Sequence, residues 1–227
     1  MQAAFLLYEG FTPLDAIGPF QVLAAAPGIE PVFVAERAGS VDSDSPPCAV
    51  AAQRSFDEVP APDIVVVPGS LTSFQALLEH EPTLAWLRGA HEHAQFVTSV
   101  CTGSLLLAAA GLLAGRPAAT HWAARHLLPR FGAIPTTERV VRSGKIITAG
   151  GVSAGIDMAL RLVAEINGSQ LARAVQLAIE YAPEPPFDSG SRESADADLV
   201  AAVLAGLAAR GATWVPAPAP AAPHPGP

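Results

Sequence analysis

The sequence predicts an α/β fold built on a mostly parallel sheet with helices on both faces. Strand-like and helix-like segments alternate through most of the chain, and each strand is followed by a turn that contains Gly or Pro. The run Ile64–Val67 is apolar throughout, which is typical of a central strand covered on both faces. With 227 residues that are 50% hydrophobic, the chain is long enough for a sizeable core. These observations favour a three-layer sandwich.

The predicted strands are short apolar or β-branched runs bounded by turn residues. They lie at 3–8, 31–35, 64–67, 95–100 and 146–148. A hairpin is expected between 138–141 and 145–148, because Ser143-Gly144 separates these segments with residues typical of a tight turn.

The helices are predicted from apolar periodicity and from capping residues at their ends. Pro19 lies near the start of a helix that ends at about Ala25, where the missing N–H of proline costs nothing. Asn167-Gly168 ends another helix, and Ser169 caps the next one. The predicted helices are 18–25, 72–79, 82–94, 102–111, 155–166, 169–181 and 198–210.

Residues 1–210 are expected to form a single domain that contains all of these elements. From Gly211 to Pro227 the sequence becomes rich in Pro and Ala. Because this composition cannot build a packed element, residues 211–227 are predicted to be a disordered tail.

The charge balance and the cysteine content argue against several classes of function. The chain has 13 basic and 21 acidic residues, a net charge of −8, so nucleic acid is not an expected partner. The apolar runs are too short to span a bilayer and the N-terminus does not resemble a signal peptide, so we expect a cytoplasmic protein without membrane association. The 2 cysteines are too few for a disulfide framework, and without metal-site spacing we expect no metal or cofactor.

Cys101 stands where a strand-like segment meets a helix-like one. A residue at such a strand-to-helix elbow is held on a sharp turn at the carboxyl edge of the sheet. The first amides of the helix would point toward the side chain and favour a thiolate. This position therefore predicts a nucleophile, and the alternative is a buried structural cysteine.

Other informative turns are expected at the same edge, because ligands of open α/β sheets bind at the carboxyl ends of the strands. Asp15 precedes the first predicted helix, and Gly69 and Ser70 follow the third predicted strand. The segment that contains Gly150 and Val152 can bring backbone amides close to a ligand because its two glycines lack Cβ. None of these turns has the pattern of a phosphate loop.

A series of short motifs follows in order between Phe5 and Ser191. They are FLLY and LDAIGP at 5–8 and 14–19, VTSVCTGS at 97–104, THWA at 120–123, GAIP at 132–135, ERVVR at 138–142, GGVSAGID at 150–157 and EYAPEPPF at 180–187. The first of them resemble the opening and the nucleophile elbow of the ThiJ/PfpI superfamily. That superfamily has a flavodoxin-like, class I glutamine-amidotransferase-like fold. The full series resembles its isonitrile hydratase subgroup.

The resemblance implies an enzyme that adds water to a small-molecule isocyanide and releases an N-substituted formamide. Cys101 would form a thioimidate and Asp15 would be the general acid/base, which requires burial to raise the pKa of Asp15. The candidates for substrate binding are Thr102, Gly69, Ser70, Gly150 and Val152. The resemblance also implies a homodimer.

At two positions this chain has a residue that differs from the one usual in the superfamily or in the subgroup. Many members of the superfamily have His after the cysteine, where this chain has Thr102, so a protease-like Cys-His mechanism is not expected. Ser70 replaces the second Gly usual in the subgroup. Its Cβ narrows the approach to the site, while its backbone N–H is expected to remain available.

Several alternatives remain open at this point. Asp15 could be an ordinary N-cap, and His121 is interpreted as a packed core histidine outside the catalytic set. The protein could be another cysteine-dependent ThiJ/PfpI enzyme, glyoxalase-like or amidase-like. It could also be a redox or ligand sensor, although no basic recognition helix is present to support a DNA-binding regulator.

Overall fold

The structure, a computed structural model, describes residues 1–216. Its strands are β1 (Gln2–Leu6), β2 (Glu30–Ala35), β3 (Gly39–Asp42), β4 (Ala49–Ala52), β5 (Arg54–Ser55), β6 (Ile64–Val67), β7 (Phe96–Val100), β8 (Pro117–Ala118), β9 (Ile134–Pro135), β10 (Val140–Ser143) and β11 (Ile146–Ala149). Its helices are α1 (Pro13–Ala24), α2 (Phe74–Leu77), α3 (Glu81–His93), α4 (Gly103–Ala109), α5 (Ala154–Asn167), α6 (Ser169–Ala178) and α7 (Ala197–Ala209). A 3-10 helix spans Trp122–Phe131.

A seven-stranded sheet in the order β10-β11-β7-β6-β1-β2-β5 forms the centre of the fold. All of its neighbouring strands are parallel except β10 and β11, which form the antiparallel hairpin predicted around Ser143-Gly144. All four residues of β6 are buried, as predicted for a central strand. Helix α1 packs with α5, and α4 packs with α2 and α3, which covers the sheet on both faces. The predicted α/β sandwich is confirmed.

Helix α1 begins earlier than the sequence predicts. It begins at Pro13, so Asp15 lies in the first turn, and Pro19 is inside the helix. The interpretation of Asp15 as an N-cap is therefore wrong. Gly18 and Gly155 allow α1 and α5 to approach closely, because a Cβ on Gly155 would lie 3.0 Å from the Pro19 ring.

The sequence analysis missed the β3–β4 hairpin, the short strands β8 and β9, and the 3-10 helix. These elements are four residues or shorter, or have a period other than 3.6, so a search for helical or alternating patterns does not detect them.

The chain forms two compact units, Met1–Pro183 and a second that begins at Glu184. The predicted domain of residues 1–210 spans this division and stays a prediction. In the second unit, Asp196 caps α7 by accepting a hydrogen bond from the Leu199 N–H at 2.8 Å. Ala212 and Trp214 are buried, whereas 217–227 lie outside the described residues, so the disordered tail stays a prediction.

Among residues 1–216, no helix combines the length and the apolar character that a membrane span requires.

Gly103, the first residue of α4, has no room for a side chain. A Cβ there would lie 2.2 Å from the Val67 carbonyl oxygen, whereas one on Gly89 in α3 would meet nothing within 4 Å. We expect Gly103→Ala to lower the free energy of unfolding by about 1–3 kcal/mol, because backbone atoms must shift. The control Gly89→Ala should raise it by up to about 1 kcal/mol. Urea unfolding of both variants checks this, and equal effects would contradict it.

Candidate active site

Cys101 occupies the predicted elbow between β7 and α4. Its φ of 59° lies in the left-handed region, which non-glycine residues adopt only at a cost. Its N–H donates to the carbonyl oxygens of Ala149 at 3.1 Å and Gly150 at 2.8 Å. Its carbonyl oxygen accepts from the hydroxyls of Thr120 at 3.0 Å and Ser104 at 3.2 Å. These four bonds hold the strained backbone in place.

The Cys101 side chain is only 5% exposed. Burial raises the pKa of its thiol well above the usual value, and the charge of Asp15 raises it further. The backbone N–H groups of Thr102 and Val152 hydrogen-bond the sulfur and lower the pKa, but not enough to offset burial. The Thr102 amide thus acts in the expected direction, but its effect is smaller than that of burial, which favours the protonated thiol.

The Asp15 carboxyl is fully buried and lies beside this thiol. Its Oδ2 accepts a hydrogen bond from the Gly69 N–H at 2.9 Å, and its Oδ1 has no hydrogen-bond partner within residues 1–216. Burial raises the pKa of Asp15 from 3.8 to about 7, and the nearby charge of Asp44 adds to the rise. The bonds from Gly69 and from the Cys101 thiol lower it. The raised pKa agrees with the expectation from the sequence.

Taken together, Cys101 and Asp15 form a coupled pair. Above about pH 7 the two groups share a single proton, because a second negative charge would be stabilised by neither water nor a cation in this buried space. Transfer of that proton from the thiol to Asp15 generates a thiolate and a carboxylic acid side by side. The pair can therefore supply a nucleophile and an acid at once.

The hydroxyl of Thr102 is committed to the Gly69-Ser70 turn. It accepts from the Ser70 N–H at 2.9 Å and donates to the Ser70 carbonyl oxygen at 2.9 Å. The expectation that the Ser70 N–H remains available is therefore wrong. The Ser70 side chain accepts from the Phe74 N–H at 2.7 Å. There is no room for a side chain at position 69, because a Cβ on Gly69 would lie 2.6 Å from the Thr102 nitrogen.

Gly150 and Val152 lie on the opposite side of Cys101. Gly150 accepts from the Cys101 N–H, and Val152 donates its N–H to the Cys101 sulfur. Val152 has a φ of 27°, which is unusual for a β-branched residue. The structure thus brings all seven predicted site residues together around the Cys101–Asp15 pair.

Sequence reasoning missed Tyr8 and Asp44. The buried Tyr8 hydroxyl donates to the Pro68 carbonyl oxygen at 2.9 Å, and burial, together with the charges of Asp15 and Cys101, keeps its pKa well above the usual value. Its place at the end of the first predicted strand was a usable signal. Asp44 accepts from the Thr12 hydroxyl at 2.5 Å and lies in an irregular segment that gave no signal.

His121 lies at the start of the 3-10 helix. Its Nδ1 accepts from the Ala123 N–H at 3.3 Å and so caps the 3-10 helix. Burial, and then the charge of Arg125, lowers its pKa to about 4, so the ring is neutral. Within residues 1–216 there is no cluster of side chains that could hold a metal ion.

A mostly parallel α/β sandwich with a buried cysteine at a strand-to-helix elbow defines the class of protein. The profile of the DJ-1/PfpI family matches residues 1–165, and the chain belongs to that family.

Within the family, the chain is 46% identical over 200 residues to the isonitrile hydratase of Pseudomonas putida, which covers 88% of this chain and 87% of that protein. A crystal structure of a ThiJ/PfpI family protein from Pseudomonas syringae superposes with a TM-score of 0.87 and 36% identity, covering 94% of this chain and 89% of that one. The HTH-type transcriptional regulator CdhR of Pseudomonas aeruginosa is 30% identical over 186 residues, which is 74% of this chain and 51% of the regulator.

The buried carboxyl predicts a pH-dependent stability difference. Because folding raises the pKa of Asp15 from 3.8 to about 7, the native state binds more protons than the unfolded state in that window, and stability falls as the pH rises through it. Asp15→Asn removes this effect. We expect the variant to gain about 1.4 kcal/mol relative to the wild type for each pH unit between these limits. Urea unfolding of both proteins from pH 4.5 to 7.5 measures the difference, and a constant difference would contradict the raised pKa.

Proposed function

We propose that this protein adds water to an isocyanide and releases an N-substituted formamide, with Cys101 as nucleophile and Asp15 as general acid/base. The observation that carries the proposal is the buried Cys101–Asp15 pair, which holds one proton beside a nucleophile. Its context is a chain 46% identical to an isonitrile hydratase over nearly its full length. An isocyanide carbon suits such a pair because it accepts a nucleophile and a proton at the same atom.

In the first half of the reaction, the thiol proton passes to Asp15 and the Cys101 sulfur attacks the isocyanide carbon. Asp15 then protonates that carbon, which gives a thioimidate with a new C–S and a new C–H bond. Both protein groups are now without a proton. The buried, uncharged surroundings favour this step, because the negative charge of the pair moves only from the sulfur to the carboxylate.

In the second half, the Asp15 carboxylate takes a proton from water as the water oxygen attacks the same carbon. The proton passes to the substrate nitrogen, the C–S bond breaks, and the hydroxyl proton returns to the pair as the formamide carbonyl forms. One water is consumed and the pair regains its single proton. Gly69, Thr102 and Val152 support these steps, since their N–H groups bind the carboxylate and the sulfur.

Ser70 and Gly150 belong to the proposed substrate surroundings because they complete the two turns that flank the pair. We propose a homodimer on the basis of the family resemblance, and the expected cytoplasmic location stays a prediction. A redox-sensor role is less well supported, because a buried thiol with a raised pKa forms little of the thiolate that oxidants attack. A cysteine–histidine hydrolase is disfavoured by the neutral, capped His121.

We expect purified protein to convert an aryl isocyanide to its formamide, and Cys101→Ala to lower kcat by roughly a thousandfold or more because the nucleophile is lost. Asp15→Asn should lower kcat by about a hundredfold to ten-thousandfold, the usual contribution of an acid/base group. Cys48→Ala is the matched control, since Cys48 is an exposed cysteine. Chromatography of the formamide measures turnover. An inert wild type whose Cys101 still reacts with a thiol probe would disprove the substrate class.

The pair also predicts a pH profile. Below about pH 7 both Asp15 and Cys101 hold protons, and no base is available to activate the thiol. We therefore expect kcat/KM to rise as the pH increases through about 7 and to fall again only in strongly alkaline solution, where the thiol ionises. Initial rates from pH 5 to 9 test this. A profile that falls above neutral pH would exclude the single-proton form as the reactive one.

A further inference from the structure

Arg139, just before β10, holds the turn that carries Val152 from two sides. Its carbonyl oxygen accepts from the Gly150 N–H at 2.9 Å, on one side of Val152. Its guanidinium donates to the Ser153 hydroxyl at 3.1 Å, on the other side. One residue thus contacts both ends of a four-residue segment.

The guanidinium is itself held in place by Asp157 of α5, which in turn contacts Tyr181, three residues after the end of α6. Its Nε donates to Asp157 Oδ2, and Asp157 Oδ1 accepts from the Tyr181 hydroxyl at 3.0 Å. The two oxygens of one carboxylate thus join Arg139 to Tyr181. Arg139, Asp157 and Tyr181 come from three of the sequence motifs, at 138–142, 150–157 and 180–187, and the proposed reaction assigns these three residues no role.

The segment held in this way is strained. Val152 has a φ of 27°, and such a conformation persists only where the surroundings impose it. In this conformation the Val152 N–H hydrogen-bonds the Cys101 sulfur. The Arg139–Asp157 ion pair is half exposed, with 49% and 26% of the side chains accessible, so its contribution to stability is small. Its main effect is on the conformation of the turn that contains Val152.

We propose that Arg139 is a positioning residue, which together with Asp157 holds the Gly150–Ser153 turn so that the Val152 N–H stays directed at the Cys101 sulfur. Arg139 acts through the turn and does not touch the reacting atoms. The expected effect of Arg139 on turnover rests on the isocyanide hydration proposed above. Its expected effect on the reactivity of the Cys101 thiol does not depend on that proposed function.

The chain offers a closely matched control. Arg142 lies in β10, three residues after Arg139, and pairs with Glu165 on α5, the helix that also carries Asp157; the exposed fractions of Arg142 and Glu165 are 52% and 29%. The Nε of Arg142 donates a hydrogen bond to the Gly144 carbonyl oxygen. Gly144 lies in the hairpin turn, at the end of β10 that is farther from Arg139. Arg142→Gln therefore removes an equivalent β10–α5 ion pair without touching the Val152 turn.

The experiment measures the rate of Cys101 alkylation by iodoacetamide between pH 6 and 10, in a Cys48→Ala background. We expect Arg139→Gln and Asp157→Asn each to move the alkylation profile to higher pH. At pH 8.5 they should slow the reaction roughly threefold to tenfold, the range that one lost hydrogen bond produces. Arg142→Gln should leave the profile unchanged. Isocyanide turnover should fall in kcat, with little change in KM, for the first two variants only.

Circular dichroism and urea unfolding report whether each variant is folded. If Arg139→Gln and Asp157→Asn are folded and alkylate like the wild type, or if Arg142→Gln causes the same shift, the proposal is overturned. If Arg139→Gln does not fold, Asp157→Asn decides in its place. Should the wild type fail to hydrate isocyanides, the alkylation profiles still decide the role of Arg139, so the two proposals fail separately.

Discussion

The Asp15 carboxyl and the Cys101 thiol share a space from which water is nearly excluded, and the polar contacts around them offset the cost of that burial. Removing both groups from water disfavours both of their charged forms. One proton must therefore stay with the pair. Hydrogen bonds offset part of the free-energy cost of desolvation, because the Gly69 N–H donates to the carboxylate and the N–H groups of Thr102 and Val152 donate to the sulfur.

Backbone groups, and not flexible side chains, supply these donors. The positions of the donors are consequently set by the end of β6, by the junction of β7 and α4, and by the turn that joins β11 to α5. The cost appears as strain at Cys101 and Val152, of order 1–3 kcal/mol for each such residue. Donors held in this manner need no reorganisation when charge moves between sulfur and carboxylate, which is how preorganised sites lower a barrier.

The sequence was sufficient to predict the sheet and the elbow, and the family resemblance indicated that Asp15 lies beside Cys101. An apolar run such as Ile64–Val67 and a cysteine between a strand and a helix are local signals that survive in the folded protein. The sequence could not predict three features: the reciprocal hydrogen bonds between Thr102 and Ser70, the effect of Asp44 on the pKa of Asp15, and the contacts of Arg139 with the Gly150–Ser153 turn. They join residues far apart in the chain, and no local pattern encodes which turns meet.

The sequence also did not reveal how deeply Cys101 and Asp15 are buried. Reasoning from helix dipoles alone favoured a thiolate at Cys101, whereas the loss of solvation is larger than the effect of the nearby amides. The same burial produced the raised pKa of Asp15 that the reaction requires. One physical effect therefore opposes the expected effect of the amides at Cys101 and produces the expected shift at Asp15.

The reciprocal pair of bonds between Thr102 and Ser70 has an evolutionary consequence. In relatives with histidine after the nucleophile, that position supplies an imidazole, whereas here it fastens the loop that also presents the Gly69 N–H to Asp15. Exchanging the residue would add a base and at the same time release the loop that orients the acid. A change at position 102 must therefore be accompanied by a change in the Gly69-Ser70 turn if Asp15 is to keep its hydrogen bond from the Gly69 N–H.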